Sequence, residues 1–134
     1  MKFFIDNCLP PRWAPALSAL ADRDEYCVTH LKDKFQRDVK DSEWLLQLGR
    51  EGDWIIISGD KRITKLPHER EAWRQSHLTA FFLHPSWSDH SMWEKTWRFV
   101  RWWPRILEQA QLVKPGAGFI VPVNFGNAGK FEQV

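Results

Sequence analysis

Residues 54–60 read Trp54-Ile55-Ile56-Ile57-Ser58-Gly59-Asp60. Three consecutive isoleucines fit a strand buried on both faces, as strands of parallel sheets are. Ser58-Gly59 ends the run, so Asp60 falls just past the strand's carboxyl end. Working outward, the elements alternate in type. Upstream, Lys2 to Ile5 is a first short strand closed by Asp6-Asn7. Pro10-Pro11 opens a helix with Trp13, Leu17 and Leu20 on its apolar stripe. Glu25 to Leu31 reads as a second strand, and a polar loop runs from Lys32 to Lys40. Asp41 starts a helix that buries Trp44, Leu45 and Leu48, with Gly49 and Gly52 marking its end.

Downstream, a polar helix covers Pro67 to Ser76 and a strand covers Leu78 to Leu83. Ser88 and Asp89 precede a long helix reaching about Val113, with a kink expected at Pro104. Phe119 to Val123 is the last strand, after the turn Pro115-Gly116-Ala117-Gly118. Strict strand–helix alternation predicts an α/β fold: a mostly parallel sheet with helices on both faces. The 134 residues are expected to form a single domain, 1–134.

Composition narrows the function classes. The chain is 43% hydrophobic and 27% charged, which supports a packed core and argues against disorder. No apolar run is long enough to span a bilayer, and Asp6 interrupts the opening run too early for a signal peptide. A cytoplasmic protein is expected. Cys8 and Cys27 form no C-x-x-C pair and read as buried free thiols. The histidines lack zinc spacing, and no phosphate-binding glycine motif is present.

The acids carry the chemistry. Asp6 follows the first strand, Asp60 follows the third, and Asp41 starts the helix after the second, all on one sheet edge. A strand order beginning 2-1-3 makes the first and third strands neighbours about 4.8 Å apart, so the three acids converge. Clustered carboxylates repel one another and call for a cation, and oxygen ligands suit Mg²⁺ or Mn²⁺. Taken singly, Asp41 equally suits a helix N-cap, and Asp6 and Asp60 equally suit turns.

Three motifs in order resemble the PIN-like domain family. Phe3-Phe4-Ile5-Asp6-Asn7-Cys8-Leu9-Pro10-Pro11 is similar to the family's opening strand and Leu-Pro-Pro helix start. Asp41-Ser42-Glu43-Trp44-Leu45-Leu46 resembles its Asp-x-Glu helix start. Ile56-Ile57-Ser58-Gly59-Asp60-Lys61-Arg62-Ile63 resembles its strand ending in Thr-x-Asp-Lys-x-Phe, with Ser58 in place of Thr and Ile63 in place of Phe. The resemblance implies a three-layer α/β/α fold and a metal-dependent ribonuclease, often the toxin held by a cognate antitoxin protein. It places the catalytic and metal-binding acids at Asp6, Asp41 and Asp60. Asn7, Asp38, Glu43, Ser58 and Lys61 are the supporting candidates; close relatives often carry Glu at the position of Asn7. The fourth acid of active family members has no clear counterpart, so a degenerate module that only binds RNA or protein is the alternative. A receiver-like signalling domain fits less well, because the last strand lacks the lysine such domains place at its end. A homodimer is compatible with either reading.

The chain holds nine tryptophans, and Trp87, Trp93, Trp97, Trp102 and Trp103 are close together. On the long helix, Trp93, Trp97, Val100, Trp103 and Leu107 share one side and are expected in the core. Arg98, Arg101, Trp102 and Arg105 form another stripe, suited to contacts with RNA or a protein partner.

Overall fold

A computed structural model describes residues 1–60 and 62–134; Lys61, one of the supporting candidates, lies outside the described residues. The elements are β1 (Lys2–Ile5), α1 (Trp13–Ala19), β2 (Cys27–His30), α2 (Asp41–Glu51) and β3 (Trp54–Ser58), then α3 (Arg62–Lys65), α4 (Pro67–Ser76), β4 (Thr79–Leu83), α5 (Met92–Leu112), β5 (Gly118–Val121) and β6 (Glu132–Gln133). The sheet order is β2-β1-β3-β4-β5-β6. The first five strands pair in parallel, and β6 runs antiparallel to β5. The expected 2-1-3 start is therefore present, with Ile5 opposite Ile57.

Strand side chains alternate between two apolar clusters, as the two-residue strand period requires. Phe3, Ile5, Ile57, Phe81 and Phe119 face α1 and α5. Phe4, Ile56, Ala80 and Phe82 face α2, α3 and α4. This is a three-layer α/β/α arrangement. Gly49 is not a helix terminator: it lies inside α2, where an added Cβ would stand 2.8 Å from the Ser76 Cα of α4. Gly52 alone caps the helix, at a φ of +79° that suits glycine.

Four expectations fail: one on α1, two on α5 and one at the cysteines. Leu20 caps α1 rather than extending its stripe, and is 64% exposed. The buried side of α5 is Phe99, Trp102, Trp103 and Ile106, while Trp93, Trp97 and Val100 face solvent. Apolar residues ring this helix, so periodicity alone could select either stripe. Trp102, expected at a contact surface, is fully buried between Phe125 and Phe131 of the C-terminal segment. Cys8 and Cys27 are free thiols but exposed ones. The helix runs unbroken through Pro104. Among the described residues, no helix is long and apolar enough to cross a membrane.

Candidate active site

The site forms where β1 and β3 end side by side. The Asp6 N–H donates to the Ile57 carbonyl (3.2 Å), which carries the pairing one residue past β1. The Asp6 carboxyl then turns back over the start of the β3–α3 connection. Its Oδ1 accepts from the backbone N–H groups of Cys8 (3.0 Å) and Gly59 (3.5 Å), and its Oδ2 accepts from the Ser58 hydroxyl. Ser58 Oγ also accepts from the Asp60 N–H at 3.0 Å, so one buried hydroxyl ties both loops together. The buried His30 ring supports this edge from β2, bonding the Leu9 carbonyl at 2.9 Å through Nε2. Because its Nδ1 accepts from the Lys32 N–H, Nε2 is the protonated nitrogen that donates.

Asp41 opens α2 but does not cap it; Lys40 holds the N-cap position. Its Oδ1 accepts from the Trp44 indole at 3.0 Å. Its Oδ2 faces the Arg62 guanidinium that it shares with Asp60. Arg62, at the start of α3, binds this pair. Its Nε lies 3.0 and 3.1 Å from the two Asp60 oxygens, its Nη2 lies 2.7 Å from Oδ2, and Asp41 Oδ2 is 3.7 Å away. The Arg62 N–H adds a bond to Asp60 Oδ1 at 2.9 Å.

These contacts set the charges. Burial pushes the Asp6 carboxyl up to about 7, aided by the neighbouring Asp60 charge and opposed by its hydrogen bonds from Ser58, Cys8 and Gly59. Burial and then Asp60 raise Asp41 to about 6. Burial also acts upward on Asp60, but hydrogen bonds from Arg62 and Asp41 outweigh it and hold Asp60 below the usual carboxylate value. Asp41 is therefore the member of the pair that keeps a proton longer. Although Cys8 is exposed overall, partial burial of its thiol, then the charges of Asp6, Asp60 and Asp41, push it up to about 12.

Arg62 escapes a sequence reading because an arginine beside a turn normally reads as solvated. Only its place one residue past the Asp60-Lys61 step hinted at a role. Asp41 and Arg62 line a surface cavity of about 380 Å³ that also takes in His68 and Glu69. Glu69 is thus an acid on the Asp41 side of the site that spacing did not reveal. The supporting candidates separate. Ser58 is central, and Asn7 is exposed in the turn beside Asp6. Glu43 is exposed and lines a different hollow with Leu46 and Glu71. Asp38 is exposed in a turn and, among the described residues, makes no ion pair or hydrogen bond with the other acids. A cavity of about 430 Å³ lies at the opposite edge around Gly52, His77 and Pro115, away from all three acids.

The donor chemistry fits a hard divalent cation: oxygen ligands that repel one another, two of them, Asp6 and Asp41, with a raised proton affinity that a cation would oppose. Asp60 and Asp41 already share the Arg62 guanidinium. Among the described residues, no three His, Cys, Asp or Glu are grouped to hold an ion. The Arg62 side chain is 62% exposed, so its release from Asp60 meets no packing barrier.

A three-layer α/β/α domain with acids at the carboxyl ends of its first and third strands fits a nuclease-type architecture. The family model for the PIN like domain matches residues 1–85, and the chain belongs to that family. No curated protein and no solved structure gives a significant match.

Proposed function

We propose that this chain is a metal-dependent endoribonuclease that hydrolyses RNA phosphodiester bonds at the Asp6, Asp41 and Asp60 edge, using Mg²⁺ or Mn²⁺. The observation that carries this reading is the meeting of Asp41 with Asp60, acids from two separate elements, beside the buried Asp6. Isolated turn and cap residues have no reason to converge. Asp6, Asp41 and Asp60 would hold the ion, and Glu69 lines a cavity with Asp41. The bound ion supplies an activated water and neutralises charge on the reacting phosphate. Ser58 fixes the Asp6 carboxylate and the Asp60 backbone together, which limits the movement of two ligands. The family resemblance further supports a cytoplasmic toxin restrained by a cognate antitoxin.

One observation favours a second reading. Arg62 already compensates Asp60 and reaches Asp41, as a permanent replacement for a metal would. In that reading the chain is a binding module without catalysis. Incubation of purified protein with a mixed RNA pool separates the two. The nuclease reading expects cleavage with Mn²⁺ or Mg²⁺ and none with EDTA. Intact RNA under all conditions, with the protein folded and free of partners, supports the binding module.

A further inference from the structure

The family model ends before α5, and the function above leaves the exposed face of that helix unused. Trp93 is 81% exposed and Trp97 is 52% exposed. The two are four residues apart, on one side of the helix. The Arg98 guanidinium lies over the Trp97 ring at 4.6 Å, and the Arg101 guanidinium lies over the Phe125 ring at 4.4 Å. Trp97, Arg98, Arg101, Val123, Phe125 and Gly126 enclose a cleft of about 190 Å³. Arg98 is steadied by Asn124 Oδ1 at 3.0 Å and Glu94 Oε2 at 3.3 Å. Glu94 also accepts from the Trp97 indole at 3.1 Å. Among the described residues, no carboxylate pairs with Arg101 or Lys95.

The cleft belongs to the same edge as the acids. The N-terminal half of α5 sits over the carboxyl ends of the strands, where Thr96 accepts from the Trp13 indole at 2.9 Å. Lys95 lines a crevice with Cys8, Gly59 and His84, next to Asp6 and Asp60. Lys95, Arg98 and Arg101 follow one another at intervals of three, a cationic row about 9 Å long from the acid edge to the cleft.

We propose that this cleft is a binding subsite for single-stranded nucleic acid, in which Trp97 takes the face of an unpaired base and Arg98 and Arg101 take backbone phosphates. The assignment rests on the nuclease reading for the direction of the strand, from the acid edge over Lys95 into the cleft. Exposed indoles beside the Arg98 and Arg101 guanidinium groups, the latter without a carboxylate partner among the described residues, match the stacking and phosphate needs of a single strand. A duplex hides its base faces, and an acidic peptide has no base to place on Trp97.

The test is fluorescence anisotropy of a fluorescein-labelled oligouridine with the full chain in EDTA, where binding is read without cleavage. Trp97→Ala and Arg101→Gln should each weaken binding about tenfold, the order of one stacked base or one lost phosphate contact. Trp97→Phe should recover most of the loss. Both positions are exposed, so melting temperatures should stay at the wild-type value. Wild-type affinity in both variants, or no binding by wild type, overturns the proposal. Equal binding of a duplex overturns it as well. So does an oligoglutamate peptide that binds more tightly than the strand and depends on the same two residues, which assigns the face to an acidic protein. Trp97-dependent binding without cleavage in Mn²⁺ leaves the subsite standing and removes the nuclease reading. Cleavage with binding indifferent to Trp97 and Arg101 does the reverse.

Discussion

Arg62 holds Asp60 through both carboxylate oxygens, with Nη2 2.7 Å from Oδ2 and Nε about equidistant from the two. The guanidinium occupies the position that a cation between Asp60 and Asp41 would need. It is also the exposed end of the pair, and exposed ion pairs contribute little to stability. Arg62→Gln should therefore change unfolding free energy by about 1 kcal/mol or less. It should tighten Mn²⁺ binding roughly five- to tenfold by removing a competitor. Titration calorimetry reads the affinity. Weaker Mn²⁺ binding in the variant would show that Arg62 supports the ion rather than competing with it.

Buried Asp6 gives the metal-free protein an unusual pH dependence. The unfolded chain releases this proton near the ordinary aspartate value of 3.8, while the folded chain keeps it to about 7. Between those values the folded state binds more protons, so stability falls as pH rises through the window and stays low above it. The full shift corresponds to at most about 4 kcal/mol. Asp41 acts in the same direction up to about 6. Asp60 acts oppositely: its lowered value stabilises the fold above the ordinary carboxylate range, and that contribution is lost as pH falls through the folded value. In EDTA the melting temperature should be higher at about pH 5 than at about pH 8, and Asp6→Asn should shrink the difference. A higher melting temperature at about pH 8 for wild type would contradict the burial argument.

Ser58 separates packing from chemistry. Removing its hydroxyl leaves the buried Asp60 N–H and Asp6 Oδ2 without that partner. Ser58→Ala should cost about 1–3 kcal/mol in urea unfolding. Ser58→Thr keeps the hydroxyl and should stay close to wild type. Equal losses in both variants would mean that shape, not the hydrogen bond, governs the position.

Substitutions on α5 test which side is buried. Trp102→Ala empties a fully buried site and should cost about 3–5 kcal/mol, while Trp93→Ala should fall within about 0.5 kcal/mol of wild type. Trp102→Phe should be far milder than Trp102→Ala, because the buried Trp102 indole N–H has no hydrogen-bond partner among the described residues. Chemical denaturation measures all three.

Much of the fold was legible because burial pattern and turn chemistry agreed. Three isoleucines before Ser58-Gly59 define β3, and Pro67 to Ser76 has the bounds of α4. The acid edge was legible because alternation implied a parallel sheet, and a parallel sheet fixes where Asp6, Asp41 and Asp60 fall. The face of α5 was not, because Trp97 and Trp102 are equally apolar and only the C-terminal segment decides between them. Phe125 and Phe131 cover Trp102, and β6, two polar residues long, carries no pattern to announce it. Arg62 was hidden for a related reason. Its partner Asp41 comes from another element, and local sequence does not show their approach.

The most direct test of the metal-dependent site is RNA cleavage in Mn²⁺ by wild type, Asp6→Asn, Asp41→Asn, Asp60→Asn and Asp38→Asn side by side. The site acids should each lose at least about a hundredfold in rate, an expectation scaled to the loss of a metal ligand or its support. Asp38, exposed and apart, should cut as wild type does. Cleavage that survives all three site substitutions would place the chemistry elsewhere and contradict the account.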